Sequence, residues 1–161
     1  MYGFLDFSKK HAVCDTSAIA SVYGAGHIYN IQVISETLDN GTIVSKGDYV
    51  APDYYKEAAA SATFEGEVKR VLSNGRYLVE IVACDEKDLL VSQVAVPYYD
   101  FTTPMKDEAQ FYNVKGDIVR SYTLKVGDRY GLSAEGFGYE VQVGDSVVVD
   151  STNKKLKKKG S

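Results

Sequence analysis

The stretch TFEGEVKRVLSNGRYLVEIVA, residues 63–83, indicates the fold class of this chain. Two segments rich in β-branched and aromatic residues, 63–71 and 76–83, flank the dipeptide Asn74-Gly75. An Asn-Gly pair favours a two-residue hairpin loop, because both central residues of a type I′ turn have positive φ. The stretch therefore predicts two antiparallel strands joined by a tight turn.

Short apolar segments separated by similar turn residues continue on both sides of this hairpin. Asn40-Gly41 is predicted to be a second hairpin turn. Four Gly-Asp pairs are predicted to be further turns, because Gly tolerates unusual φ and Asp bonds back to nearby backbone. These pairs are Gly47-Asp48, Gly116-Asp117, Gly127-Asp128 and Gly144-Asp145. Additional strands are predicted at 28–34, 41–45, 89–94, 119–124, 129–134 and 146–149.

Two short helices are also predicted. Residues 53–61 contain Lys56, Glu57 and three alanines, and residues 103–111 offer Thr103 as N-cap with Pro104 at the first helical position. Many short strands with glycine turns are typical of a mainly β protein, here a small β-barrel or sandwich with one or two short helices and an extended N-terminal arm. The positions expected in its core include Ile81, Val82, Leu90, Val119, Leu124 and Val147.

The 161 residues suffice for one domain and divide into three regions. Residues 1–34 are predicted to be either an arm that reaches a neighbouring subunit or edge strands of the main domain. Residues 35–150 form the β domain, and residues 151–161 form a lysine-rich C-terminal tail that is expected to fray beyond Leu156. The tail carries Lys154, Lys155, Lys157, Lys158 and Lys159.

The charge distribution argues against a nucleic-acid partner. Net charge is −4, but the tail holds five lysines and no acids, so residues 1–150 carry 13 basic and 22 acidic side chains. An acidic body does not offer the basic face that a phosphate backbone needs. The 13 tyrosines suit a contact surface, where the ring packs and the hydroxyl stays wet.

No catalytic, cofactor or metal site is predicted. His11 and His27 have no partners at metal-ligand spacing and are expected at the surface or in the arm. Cys14 and Cys84 are expected to be reduced and buried. The acidic segment Asp85, Glu86 and Asp88 lacks a calcium-loop pattern and is expected to be solvated. Gly24-Ala25-Gly26 lacks the rest of a phosphate-binding motif.

The chain is expected to fold in a cytoplasm. Residues 1–10 do not combine a basic start with an apolar run, so no signal peptide is predicted. No stretch approaches the ~18 apolar residues of a membrane span, so no membrane partner is expected.

Residues 40–158 resemble small structural proteins from the head-assembly regions of tailed phages and prophages of Gram-positive bacteria. The resemblance begins with the strand NGTIV at residues 40–44 and the phrase VAVPYYD at 94–100. It continues with FYNVKG at 111–116, followed by Arg120, Tyr122, Leu124 and Gly127-Asp128. It ends with VGDSVVV at 143–149 and KLK at 155–157.

Members of that family resemble head decoration or capsid-stabilising proteins, so the resemblance implies a non-enzymatic protein on the virion capsid surface. It implies that the chain is made in the bacterial host cytoplasm and forms a homo-oligomer on the capsid. The implied partners are the major capsid protein and neighbouring copies of the chain. Two alternatives stay open: a tail or head-tail adaptor component of the same virion, and a cytoplasmic β-barrel binding module with a tyrosine-lined concave site.

The N-terminal region is predicted to make the capsid contact. It has too much apolar surface for a free disordered segment, and deleting residues 1–10 is expected to weaken capsid binding more than deleting 157–161. The candidate contact residues are Tyr2, Phe4, Leu5, Phe7 and Tyr23.

Overall fold

The computed structural model describes residues 4–5, 11–16, 19, 28–50, 54–93 and 111–160. The prediction of a mainly β protein is confirmed, because these residues form fourteen strands and one short 3₁₀ turn at Ala134–Gly136. The strands are β1 Phe4–Leu5, β2 Cys14–Asp15, β3 Ile28–Gln32, β4 Thr37–Leu38, β5 Ile43–Val50, β6 Tyr54–Ala60, β7 Glu65–Val71, β8 Tyr77–Ala83, β9 Asp88–Val91, β10 Phe111–Val114, β11 Ile118–Thr123, β12 Arg129–Leu132, β13 Ser146–Val149 and β14 Leu156–Lys158.

Five strands close into a barrel in the order β11, β3, β6, β5, β9, with β9 pairing back to β11. The β3–β6 pair is parallel and the other pairs are antiparallel. The interior is filled by one cluster of apolar side chains, as expected for a small barrel. Its buried members are Ile31, Val33, Leu38, Val44, Leu89, Val91 and Val119.

A second sheet packs beside the barrel in the order β14, β13, β7, β8, β12, β2. Its core includes Phe64, Val79, Tyr130 and Leu132, and it also takes Ile43 from β5 and Leu90 from β9. Strands β5 and β9 therefore contribute to both cores. This explains why every residue of β9 is buried, although strand residues normally alternate between two faces. A third, three-stranded sheet has the order β1, β10, β4.

One of the two predicted Asn-Gly hairpins is confirmed. Asn74-Gly75 lies between the paired strands β7 and β8, but the turn is not the predicted type I′: Gly75 has a φ of 82°, whereas Asn74 has no positive φ. The Leu72 N–H bonds to the Arg76 carbonyl at 2.7 Å, which closes a three-residue loop with Gly75 in the left-handed position. Asn40-Gly41 does form a turn, but it does not make a hairpin. It connects β4, which pairs with β10, to β5, which lies in the barrel.

Three of the four Gly-Asp pairs are turns with the same construction. In each turn the Asp side chain accepts a hydrogen bond from the backbone N–H three residues earlier, at 3.3, 3.0 and 3.0 Å. The three glycines before Asp117, Asp128 and Asp145 have φ between 91° and 95°. The third residue of a type II turn needs such a positive φ, and glycine adopts it without steric cost. The prediction is wrong for Gly47-Asp48, which lies inside β5 where the register to β6 shifts.

The predicted helix at 53–61 is wrong, because residues 54–60 form β6. Alanines favour helix only weakly, and tertiary pairing overrides that preference. Here β6 pairs with β5 on one side and β3 on the other, and it closes the barrel wall. The second predicted helix, 103–111, lies outside the described residues up to 110, and Phe111 begins β10.

The core prediction is confirmed for Ile81, Leu90, Val119, Leu124 and Val147, all of which are buried. It is wrong for Val82, whose exposed fraction is 46%. Successive strand residues point to opposite sides, so Ile81 enters the core while Val82 faces outward.

Both ends of the chain include residues that pair with the body. Strand β1 pairs with β10, β2 pairs with β12, and β3 lies within the barrel wall. At the other end β14 pairs with β13, and the Lys159 N–H bonds to the Ser146 carbonyl at 2.8 Å. The expectation of a frayed tail directly beyond Leu156 is therefore wrong.

Gly41 and Gly75 give a matched test of the packing around the β4–β5 turn. Both have positive φ, but a Cβ on Gly41 would collide with Leu132 Cδ1, while a Cβ on Gly75 would meet nothing. We expect Gly75→Ala to lower the free energy of unfolding by about 1–2 kcal/mol from backbone strain alone. Gly41→Ala should cost about 1–3 kcal/mol more, because it also overpacks the core. Urea unfolding measures both, and equal losses would contradict the close packing of Gly41 on Leu132.

Candidate functional site

A polar cavity of about 400 Å³ is the candidate functional site. One wall is the loop between β13 and β14, and the other is the segment that leads from β3 through β4 to the start of β5. Its volume is in the range of small-ligand sites, although such sites are usually mostly apolar. The residues that line it are His11, Ser35, Glu36, Thr37, Leu38, Asp39, Thr42, Thr152, Asn153, Lys154 and Lys155.

A buried ion pair joins the two walls beside this cavity. Glu57 on β6 has a fully buried side chain, and Lys154 of the β13–β14 loop donates to its Oε1. Lys154 Nζ also donates to Ser35 Oγ at 2.6 Å, and Ser35 Oγ in turn donates to Glu57 Oε1 at 2.7 Å. The three side chains therefore form a closed hydrogen-bonded triangle.

Backbone groups complete the environment of Glu57. Its Oε2 accepts from the N–H groups of Ile34 at 2.9 Å and Ser35 at 3.2 Å. Burial acts to raise the pKa of Glu57, but the hydrogen bonds from Lys154, Ser35 and Ile34 outweigh it and lower the pKa below 4.5. The carboxylate is thus held in its charged form inside the protein.

Lys154 reaches this position from an unusual backbone conformation. Its φ is 60°, and no other non-glycine residue in the described ranges has a positive φ. A left-handed backbone conformation is destabilising for any residue with a Cβ, and it persists only where the surrounding structure enforces it. Backbone hydrogen bonds hold it in the loop, from the Lys154 N–H to the Asp150 carbonyl at 2.9 Å and from the Asp150 N–H to the Lys155 carbonyl at 2.8 Å.

A histidine–aspartate pair forms another part of the cavity lining. His11 is buried, which makes its predicted surface position wrong, and its Nδ1 lies 2.6 Å from Asp39 Oδ1. The other carboxylate oxygen of Asp39 accepts from the Ala12 N–H at 3.1 Å. The imidazole stacks on the Tyr112 ring with 4.7 Å between centroids. This pair fixes residues 11–12 against β4 and β10.

The predicted contact residues lie in β1 or outside the described part of the chain. Phe4 and Leu5 form β1, and Tyr2, Phe7 and Tyr23 lie outside the described residues. Sequence reasoning missed Glu57 and Lys154 as a pair, because 97 positions separate them and neither belongs to a motif. His27 also lies outside the described residues.

Tyrosines cluster elsewhere on the barrel, around Lys46. The Lys46 ammonium lies 4.6 Å from the ring centre of Tyr29 and 4.7 Å from that of Tyr55. Tyr49 packs on Tyr55 at 5.1 Å and is 56% exposed. The polar cavity, by contrast, has no tyrosine among its described lining residues, so it is not the tyrosine-lined site that a barrel binding module was expected to have.

The tail lysines are largely paired with acids of the body. Besides the Lys154 contact with Glu57, Lys159 Nζ lies 2.8 Å from Glu65, and Lys158 Nζ lies 3.5 Å from Asp145. Exposed pairs of this kind contribute little individually. Together these ion pairs hold the lysine-rich tail against acidic residues of the β domain.

The cysteines and the acidic loop have environments that differ from the predicted ones. Neither cysteine is disulfide-bonded, and both are half-buried rather than buried as expected; burial raises both thiol pKa values. Asp88 is buried, so the prediction of a solvated loop is wrong for it; its Oδ2 accepts from Thr63 Oγ1 at 2.7 Å. Within the described ranges, no three His, Cys, Asp or Glu side chains are placed to hold a metal ion.

Comparison with known proteins gives no relative. No known protein family, curated protein or solved structure shows significant similarity to this chain. In the described part of the chain, no helix is long and apolar enough to cross a bilayer.

Proposed function

We propose that this chain is a non-enzymatic structural protein of a phage virion that binds the outside of the capsid and stabilises the shell. The proposed partners are the major capsid protein and neighbouring copies of the chain. The observation that carries the proposal is the resemblance of residues 40–158 to head decoration proteins.

The central phrase of the resemblance holds β10, β11 and β12 in place. Asn113 is fully buried, and its side-chain amide donates to the Leu38 carbonyl at 3.0 Å and to Asn40 Oδ1 at 3.1 Å. The phrase also supplies buried Tyr122 and Leu124 and two of the type II turns. These residues of the resemblance therefore have a role in the fold, and the resemblance itself remains the support for the proposal.

A shell-binding protein stabilises only the assembled state. A ligand that binds the assembled lattice and not its dispersed subunits shifts the equilibrium towards assembly by mass action. Many copies on a symmetric shell add to this through multivalency. Neither effect needs a cofactor, and none is proposed.

Co-sedimentation with capsids of the phage that encodes the chain tests the proposal. We expect the full chain to pellet with shells assembled from the major capsid protein and to stay in solution without them. Failure to pellet at micromolar concentration and low salt would overturn the proposal. Pelleting with purified tails alone would favour the tail or adaptor alternative.

Three variants locate the contact. Deleting residues 157–161 is unsuitable, because it removes part of β14. We expect Tyr2→Ser with Phe7→Ser to weaken pelleting at least about tenfold, because the loss of a buried aromatic anchor costs 1.4 kcal/mol or more. Val126→Ser, at an exposed turn position, is the matched control and should pellet normally. A normal result for the arm variant, with a loss for Tyr49→Ser, would place the contact on the tyrosine cluster instead.

A further inference from the structure

We propose that Glu57, Ser35 and Lys154 form an acid-released latch that holds the β13–β14 loop against the barrel and keeps the polar cavity closed on that side. This inference concerns the conformation of the chain and does not depend on the proposed capsid function.

Hydrogen bonds between its own residues organise the loop, and Lys154 connects it to the barrel. The Thr152 N–H bonds to Asp150 Oδ1 at 2.8 Å, the Lys155 N–H to Asn153 Oδ1 at 2.9 Å, and the Lys154 N–H to the Asp150 carbonyl at 2.9 Å. Among the side-chain hydrogen bonds of the described residues, those that cross from this loop to the barrel are made by the Lys154 ammonium. The flanking strands β13 and β14 pair through their own backbones, and Lys154 is not part of that register.

The latch depends on the charge of Glu57. A buried carboxylate attracts the lysine strongly, whereas a neutral carboxyl group keeps only ordinary hydrogen bonds. When Glu57 is protonated, the Lys154 ammonium loses its charged partner, and the loop can move away from the barrel while it keeps its own hydrogen bonds. Thr152 and Asn153 are already exposed, so the loop buries little that would resist this movement.

The direction of the pH effect follows from the charged groups around Glu57. Lys154 faces it from the loop, and Lys46 lies opposite it on β5 with its ammonium over Tyr29 and Tyr55. The remaining titratable groups of the cavity wall are His11, Glu36, Asp39 and Lys155. The cation contact and hydrogen bonds lower the pKa of Glu57, so the latch is complete above pH 4.5 and is lost as pH falls through the lowered value.

A tryptophan reporter tests the latch, because the chain has no tryptophan of its own. Lys155→Trp places the reporter on the half-buried part of the loop that lines the cavity, and acrylamide quenching then measures its accessibility. We expect quenching to rise on acidification with a midpoint below pH 4.5, before the β signal in circular dichroism is lost. A quenching transition that coincides with global unfolding would contradict the proposal.

Two variants in the reporter background decide the role of Glu57. Glu57→Gln should give the high quenching of the open loop already at pH 7, with no acid transition. Glu36→Gln removes an exposed carboxyl group of the same wall and should titrate like the parent. An unchanged acid transition in Glu57→Gln would overturn the proposal. If that variant does not fold, Ser35→Ala serves instead: it removes one donor to Glu57, so the midpoint should rise, and an unshifted midpoint would overturn the latch.

Discussion

Replacing Lys154 with Met is expected to lower the free energy of unfolding by about 3–5 kcal/mol, because it leaves the Glu57 carboxylate buried without its cation. Glu57 is fully enclosed, and only Ser35 and two backbone N–H groups would remain to stabilise its charge.

Two control variants distinguish the loss of the Glu57–Lys154 ion pair from the effect of changing any residue of the loop. Lys155→Met removes the neighbouring charge and should stay within about 0.5 kcal/mol of the parent, as exposed or partly exposed substitutions usually do. Glu57→Gln combined with Lys154→Met keeps an acceptor for the Ile34 and Ser35 N–H groups but removes both charges. Equilibrium unfolding in urea should show that the double variant is more stable than Lys154→Met alone. If Lys154→Met lowers the free energy of unfolding by less than about 1 kcal/mol, the ion pair does not hold the loop to the barrel.

Ile81→Ala is expected to cost about 2–5 kcal/mol, because it leaves a cavity in the core under the six-stranded sheet. Its neighbour Val82 is the matched control: Ile81 is 1% exposed and Val82 is 46% exposed on the same strand. Val82→Ala should therefore change stability by only about 0.5 kcal/mol.

Urea unfolding with an unchanged m-value measures this difference as a shift of the midpoint. Equal losses for Ile81→Ala and Val82→Ala would contradict the assigned facing of β8. A loss confined to Val82→Ala would mean that its register is shifted by one residue, since such a slip exchanges the two faces of a strand.

Local signals in the sequence predicted the fold class and the β7–β8 hairpin. At Asn74-Gly75 the sequence located the chain reversal correctly, although only Gly75 adopts a positive φ and the loop has three residues rather than two. The same logic failed at Asn40-Gly41, because the partners of β4 and β5 lie far along the chain. Turn chemistry predicts that the chain reverses, but not which strands then pair.

The errors about Val82 and β6 have different physical causes. At Val82 the error comes from the alternation of strand residues: Ile81 points into the core and is 1% exposed, so its neighbour Val82 faces outward. In β6, the alanines and charged residues match an exposed helix, and only the closed barrel shows that Glu57 points inward to Ser35 and Lys154. The candidate site could not be predicted because its residues come from three separate segments with no shared motif.

The position of the chain in the virion tests the central claim most directly. A cryo-electron microscopy reconstruction of capsids incubated with the purified chain would measure where its density lies. The account predicts symmetric density on the outer surface of the shell, into which the barrel and six-stranded sheet fit, together with greater resistance of those capsids to heat. Bare capsids at saturating protein, or density confined to the tail or the portal vertex, would contradict it.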